Sequence, residues 1–445
     1  MINLKSSLLS GKKLLLLTFV LTILTACNTN NWPNFRGPDT NQLTSEKTLP
    51  LEWSNDLNLN WKYDLVGRGW SSPIVWGNKV FFTNAVLEDP SILPPAREGR
   101  RQDNPFDAVY NFEVICLDLD SGEEIWKNIA YNGKPRYKTH RDNTYAPESM
   151  VTDGKNVYAY FGMHGIFCYD MKGNLVWEKD LGNYPMQSNW GTSSSPLLYK
   201  KVLYMQIDNE DNSFLAALDS KTGDEIWRID RDEKSNWGTP VIWENSVRKE
   251  LVVQGKKARS YNPENGELLW ELDLGGGRNI ASPTWGYDMI FMGNETRRDG
   301  GGFLFGVKAG AAGDISLSEG QVSNDWVAWS VPKSGIAIAS PLFYEGLVYI
   351  VDRNRGQIFC YEATTGEVVY PGTKIKDAKD FWASPWAFDG KIYCLDDRGT
   401  THVIQAGKTF MELGKNKLND VFWASTAIAK GSYIFRGEKA IYCIR

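Results

Sequence analysis

The feature that most constrains this chain is a phrase it repeats: VICLDLDSGEEIWK at 114–127, IFCYDMKGNLVWEKDLG at 166–182, LAALDSKTGDEIWRID at 215–230, ARSYNPENGELLWELDLG at 258–275 and IFCYEATTGEVVYPG at 358–372. In each, a β-prone run ends in a polar turn whose glycine can adopt positive φ, and a second alternating run follows, which is the sequence form of a hairpin. An aromatic sits four residues past the glycine, in the pairs Gly122 and Trp126, Gly173 and Trp177, Gly223 and Trp227, Gly266 and Trp270, and Gly366 and Tyr370, with Met411 after Gly407 as a degenerate copy. A large ring at one register of every outer hairpin fills the wedge between interlocking sheets, burying roughly 150–250 Å² per ring. The expected blade-docking set is Trp61, Trp126, Trp177, Trp227, Trp270, Trp329 and Tyr370.

A second phrase precedes each hairpin: WSSP at 70–73, YAPES at 145–149, SSSP at 193–196, GTP at 238–240, ASP at 281–283, 339–341 and 383–385, and WAST at 423–426. An apolar pair, a turn and another short strand come after each, so the unit is four strands. Taking Pro73, Pro147, Pro196, Pro240, Pro283, Pro341 and Pro385 as markers, with Thr426 as the eighth, most units recur every forty-odd residues. That period with four strands per unit is a β-propeller signature. Eight openings predict eight blades.

The last unit stops one strand short, at KAIYCIR and Arg445. An unpaired edge there would aggregate or fray. Residues 57–66, LNLNWKYDLV, supply the missing outer strand, which places Trp61 at the recurring aromatic position. The expected fold is therefore all-β: an eight-bladed β-propeller of four-stranded antiparallel blades over 53–445, closed by the N-terminal strand completing the last blade. Insertions at 85–111 and 309–324 are expected as loops on this scaffold.

Ahead of the repeats, Lys12 and Lys13 precede an apolar run, Leu14 to Leu24, too short to span a bilayer as a helix. It reads as the core of a signal peptide over 1–26. Leu24-Thr25-Ala26-Cys27 resembles the bacterial lipobox, which implies lipidation of Cys27, with 27–52 a tether and extended segment. Asn28 in place of an aspartate implies, by the sorting rule of similar lipoproteins, an outer-membrane location facing periplasm or exterior.

The chain carries 49 Lys plus Arg against 54 Asp plus Glu; without Lys5, Lys12 and Lys13 the balance is 46 minus 54, or −8. An acidic chain is a poor nucleic-acid binder, so no nucleic-acid partner is expected. Besides Cys27 the cysteines are Cys116, Cys168, Cys360, Cys394 and Cys443. Four of them share one register of a repeated strand, and equivalent positions in successive repeats lie too far apart for a disulfide. They are expected as small buried core residues.

LDxxTGxxxW, the SP at blade starts and the opening WPNFRGP at 32–38 together resemble the pyrroloquinoline-quinone-like repeat family of eight-bladed propellers. The resemblance covers nearly all of 53–445. It implies one of two classes: periplasmic quinoprotein dehydrogenases, or lipoproteins similar to the propeller subunit of the outer-membrane β-barrel assembly machine, which carry no cofactor. The dehydrogenases use a vicinal disulfide, a calcium ion and an aspartate base. No Cys-Cys dipeptide occurs here, and no local motif matches their calcium ligands or base. The expectation is accordingly no catalytic residue, no metal and no cofactor, the quinone with calcium being unsupported by a matching site. The acidic run Asp208 to Asn212 reads as a solvated loop, and His140, His164 and His402 lack ligand spacing.

Where a site could lie follows from the architecture, since the loops entering the innermost strands converge on one face of a propeller. They read GRGWSSP, RDNTYAPES, SNWGTSSSP, SNWGTP, GGRNIASP, KDFWASP and NDVFWAST. The candidate funnel is Arg68, Trp70, Arg141, Tyr145, Trp190, Trp237, Arg278, Trp382 and Trp423, with Asn189, Asn236, Asp380 and Asp420 beside them. These rings either cap blade interfaces or bind a planar or sugar-like ligand or a peptide edge. Three functions follow. The leading one is a non-enzymatic, membrane-anchored, monomeric scaffold for envelope proteins, with a β-barrel assembly component as partner. The alternatives are a pyrroloquinoline-quinone-dependent oxidoreductase with an altered site, and a carbohydrate- or polymer-binding module.

Overall fold

Each repeat folds as a sheet in which the three inner strands are covered on both faces while the outer strand alternates, as in the exposed-to-half-buried pattern of Glu225–Asp230. A computed structural model of the chain describes residues 30–93, 103–295 and 302–445. It contains eight sheets around a central channel. Blades 1 to 7 occupy 74–133, 151–179, 197–230, 241–273, 284–331, 342–374 and 386–417. Blade 8 is built from Ala427–Ala429, Ser432–Arg436 and Ala440–Ile444, and its outer strand is Leu59–Asp64, with Trp61 opposite Cys443. The N-terminal strand closes the ring as expected. Cys27, the signal segment and part of the first insertion lie outside the described residues. The strands flanking that insertion stay paired as far as Leu87 and Tyr110.

The recurring glycine and the recurring ring meet across blades, not within one hairpin. Trp61 of blade 8 lies over the turn of blade 1, where a Cβ on Gly122 would come 2.6 Å from the indole. Trp126, Trp177, Trp227 and Trp329 cover Gly173, Gly223, Gly266 and Gly366 of the next blade in the same way. Each indole N–H then reaches a carbonyl of that next turn: Trp61 to Leu119 at 2.7 Å, Trp126 to Met171 at 3.3 Å, Trp177 to Ser220 at 3.1 Å, Trp227 to Pro263 at 3.2 Å and Trp329 to Ala363 at 2.9 Å. Tyr370 donates its hydroxyl to Gly407 O. The ring also needs a small residue opposite it on the neighbouring strand. Cys116, Cys168, Cys360 and Cys443 face Trp126, Trp177, Tyr370 and Trp61, while Ala217, Ser260 and Gly306 face Trp227, Trp270 and Trp329. All five cysteines described are free and buried.

Trp270 departs from the pattern. It donates to Glu250 of its own blade at 2.6 Å. The second insertion, read as a loop, places Gly313–Asp314 as a parallel fifth strand beside Trp270 and Glu271, while the Trp270 ring stays buried in the core shared with Ile290, Met292, Phe305 and Val307 of blade 5.

The SP phrase has its own physical reason. Proline opens most inner edge strands, where its missing N–H removes no ladder bond, and the hydroxyl residue before it, with Ser149 and Ser425 at the corresponding place in blades 2 and 8, links blades. The N–H of Ser72 donates to Ser149 Oγ, Ser149 to Ser195, Ser195 to Thr239, Thr239 to Ser282, Ser282 to Ser340, Ser340 to Ser384 and Ser384 to Ser425, all at 2.9–3.2 Å. A belt of backbone-to-hydroxyl bonds thus runs around the channel across seven of the eight blade seams.

The stretch read as tether and extended segment is packed into that channel from Asn31 onward. Trp32 is 1% exposed and pairs with Val75 through two 2.8 Å bonds. Arg36 donates to Pro283 O at 2.8 Å and Pro341 O at 2.7 Å, and Gln42 to Thr426 O at 2.7 Å. These side chains satisfy carbonyls that inner edge strands would otherwise leave unpaired. Full burial pulls the Arg36 guanidinium down to about 9, against the pull of Asp39.

Candidate functional site

The loops ahead of the inner strands meet at one mouth of the channel around a cavity of about 170 Å³. Six of the nine expected residues line it: Trp70, Trp190, Trp237, Arg278, Trp382 and Trp423. Its floor is Phe35 from the N-terminal segment, and Asp142, Asn143 and Arg353 complete its polar wall. Arg353 lies between the second and third strands of blade 6, a loop that opens on the same face; attention to the entry loops alone missed it. Phe35 carries no local signal, because nothing near it in the sequence says that it threads the channel.

Three expected residues fall elsewhere. Arg68 bonds Asn104 at 2.8 Å and the Arg141 carbonyl at 3.4 Å, fastening the first insertion to the entry of blade 1. Arg141 contributes that carbonyl and does not line the cavity. Tyr145 is buried against Tyr110, with ring centroids 5.1 Å apart, in the core between blades 1 and 2. Entry-loop position alone cannot separate residues turned to the channel from residues turned to a blade interface. Of the polar neighbours, Asp420 accepts from Tyr442 at 3.2 Å and Lys439 N at 3.0 Å, and Asn236 donates to Lys234 O at 2.8 Å, so both hold loop structure.

The rings form an ordered wall. Trp382 and Trp423 stack at 3.6 Å and 6°, and Trp70 stacks on Trp423 at 5.1 Å and 25°. The Arg353 guanidinium lies 4.3 Å above Trp382 as a cation–π contact. Across the mouth His140 stacks on Trp190 at 4.0 Å, with Arg278 5.8 Å from the same ring. Glu295 sits between the two arginines, paired with Arg278 and 3.5 Å from Arg353. Two cations share the Glu295 carboxylate, Asp380 lies within electrostatic reach of Arg353, and Asp142 sits 3.6 Å from His140 beside Trp190.

Other candidates are spent on structure. Asp208, read as part of a solvated loop, is buried and takes a two-pronged bond from Arg231 at 2.8 and 3.1 Å, while Asn209 holds its own turn. Sequence charge alone did not reveal the distant arginine. His402 sits 3.3 Å from Asp396, and burial pulls His164, stacked on Tyr131, down to about 4. Among the described residues no group of three His, Cys, Asp or Glu is placed to hold a metal ion.

Beneath the blade 2 entry, burial pushes the Glu148 carboxyl up to about 8, with Thr192 opposing. From about pH 4.5 to 8 the unfolded chain has released this proton and the folded chain keeps it, so stability falls as pH rises through that window. Glu148→Gln is expected to raise the unfolding free energy at pH 8 by on the order of a few kcal/mol, seen as a higher melting temperature, and to have no such effect below pH 4.5. Thermal melts of both proteins across pH 4–8 check this.

A family profile described as outer membrane protein assembly factor BamB matches residues 111–371, more than half of the chain. The chain belongs to that family. Other likenesses are of fold. The solved BamB of Moraxella catarrhalis superposes with TM-score 0.53 at 10% identity, covering 81% of this chain and 95% of that one. The quinohemoprotein alcohol dehydrogenase of Comamonas testosteroni superposes with TM-score 0.59 at 10% identity, covering 93% and 80%. Tetrathionate hydrolase of Acidithiobacillus ferrooxidans is 22% identical over 231 residues, 46% of this chain and 42% of that protein, so the match spans less than half of that curated relative's length. BamB-like propellers and quinoprotein enzymes thus share this architecture, and the mouth of the channel must decide between them.

Proposed function

We propose that this BamB-family propeller is a non-enzymatic protein of the cell envelope, anchored through Cys27, that holds a protein partner over the mouth of its channel, with a β-barrel assembly component as that partner. The observation that carries the reading is the finished state of the aromatic wall. Trp382 is covered on one face by Trp423 and on the other by Arg353, and Trp423 lies between Trp382 and Trp70. A planar cofactor stacking on these rings would first have to separate them. What the wall offers is edges, two arginines and a rim, which suit a peptide segment laid across it.

The same residues do not fit a quinone with calcium. The five described cysteines are enclosed in blade cores. At the mouth, Asn143 spends its amide on the Trp190 and Thr192 carbonyls and its oxygen on Thr144 N, leaving Asp142 as the one carboxylate among the cavity's lining residues. A hard cation wants six to eight oxygens. Among the described residues no helix is long and apolar enough to cross a membrane, and the lipobox at Cys27 provides the proposed anchor.

Crosslinking and recovery from native membranes tests this. The unaltered protein should bring down a β-barrel assembly component, and Trp382→Ala should cut that recovery about tenfold, as loss of a hot-spot ring does. Recovery of polysaccharide-utilisation proteins would move the assignment to a carbohydrate-binding module. A fall in thermal stability that tracks the lost recovery would reduce Trp382 to a structural role.

A further inference from the structure

The N-terminal segment enters the channel from the face opposite the funnel. The inner strand of blade 1, Ile74–Trp76, has Ser72 at its funnel end and Gly77 at the other. Asn31 sits at the Gly77 end, its side-chain oxygen accepting from Gly77 N at 2.8 Å, and Trp32 pairs with Val75 one step further in. The chain then climbs to Phe35 on the funnel floor and to Arg36 at the Pro283 and Pro341 carbonyls. It turns back past Trp285 and Ala387, and Thr48 lies against Gly431, again in a turn on the face away from the funnel.

This path limits where a lipid on Cys27 can be. Cys27 is four residues before Asn31, and four extended residues reach roughly 14 Å. A blade of four strands spaced about 4.8 Å apart is on the order of 15–20 Å wide before its side chains are counted, and one strand of height comes in addition. The tether cannot pass around a blade to the funnel rim, and the route through the channel is filled by the segment itself.

We infer that the face carrying the turns between first and second strands rests on the lipid surface that holds the Cys27 acyl chains, so that the funnel opens away from the bilayer. The inference rests on the anchoring proposed above and adds its geometry. Tyr287, 65% exposed, and Val247, 59% exposed, stand on adjacent turns of this face and supply amphipathic and apolar contact at the headgroup level. Its turns mix both signs, Asp153, Asp288 and Asp389 alternating with Lys155, Lys200 and Lys430, so the face has no single-sign charge to direct it. Orientation is therefore set by the tether rather than by charge, and it persists at high salt.

The test uses the full-length protein purified from membranes and placed in phosphatidylethanolamine–phosphatidylglycerol vesicles containing nitroxide-headgroup lipid. A fluorophore is attached at Tyr287→Cys or, on the funnel side, at the exposed Arg398→Cys; the five core cysteines are buried and stay unlabelled. The Tyr287→Cys label should be quenched several-fold more than the Arg398→Cys label. A Gly/Ser spacer of about twenty residues inserted after Asn28 should erase the difference, since its reach of roughly 25 Å frees the propeller to turn. Equal or reversed quenching in a protein whose Cys27 is acylated by mass spectrometry overturns the orientation and leaves the anchoring intact. Absence of the acyl group overturns both.

Discussion

Trp61→Ala is expected to lower the unfolding free energy by about 3–5 kcal/mol, the range for emptying a buried aromatic site. Deleting Leu59–Asp64 is expected to abolish cooperative folding altogether. The argument is topological as well as local. Trp61 donates to Leu119 O and covers Gly122 in blade 1, while its own strand pairs with Ala440–Ile444, so one residue serves both the last blade and the seam that makes the ring continuous. The equivalent Trp177→Ala removes a similar ring from an interior seam, where covalent continuity of the chain on both sides limits the damage. Urea unfolding of both variants separates the two effects. A deletion variant that stays soluble and melts cooperatively would refute the closure.

Arg436→Ala comes second. Arg436 is fully buried in blade 8, and burial pulls its guanidinium down to about 9. It reaches across the same seam to Ser71 O at 3.3 Å, the Ser71 hydroxyl, Thr83 O at 2.6 Å and Asn84 Oδ1 at 3.3 Å. Among the described residues no carboxylate pairs with it, so its desolvation is offset by these acceptors and by Phe82, whose ring it approaches at 5.4 Å. Removal leaves the acceptors dry and unpaired, at about 1–3 kcal/mol each for those that water cannot reach. The expected loss is roughly 3 kcal/mol or more, with faster proteolysis on either side of the seam. Arg436→Lys should recover little of it, because one ammonium cannot serve a forked set of acceptors. Equal stability of Arg436→Ala and the unaltered protein in denaturant titration would show that water takes over those bonds.

The blades were legible because their signals are local. A turn glycine, an aromatic four residues on and a Ser-Pro forty residues earlier each lie within one blade, and hairpin physics reads them without knowing the neighbours. Even the closing strand could be placed, since a missing partner at Arg445 and a spare one at Trp61 left a single match. The funnel was legible to the extent that entry loops must converge. The same loops also carry side chains turned the other way, which is why Tyr145 and Arg68 went to a core and to an insertion.

The amino-acid sequence by itself determined the number of blades, the strand that seals them and the buried register shared by four cysteines, all set by period and side-chain volume along short stretches. Only the tertiary structure decided that Trp32 to Gln42 fills the channel, that a fifth strand pairs beside Trp270, and that Trp382, Trp423 and Trp70 stack on one another. Those outcomes depend on distances between residues far apart in the chain, such as Arg36 and Pro341, 305 positions away. Such distances come into being only when the ring closes, and no repeat of forty residues contains them.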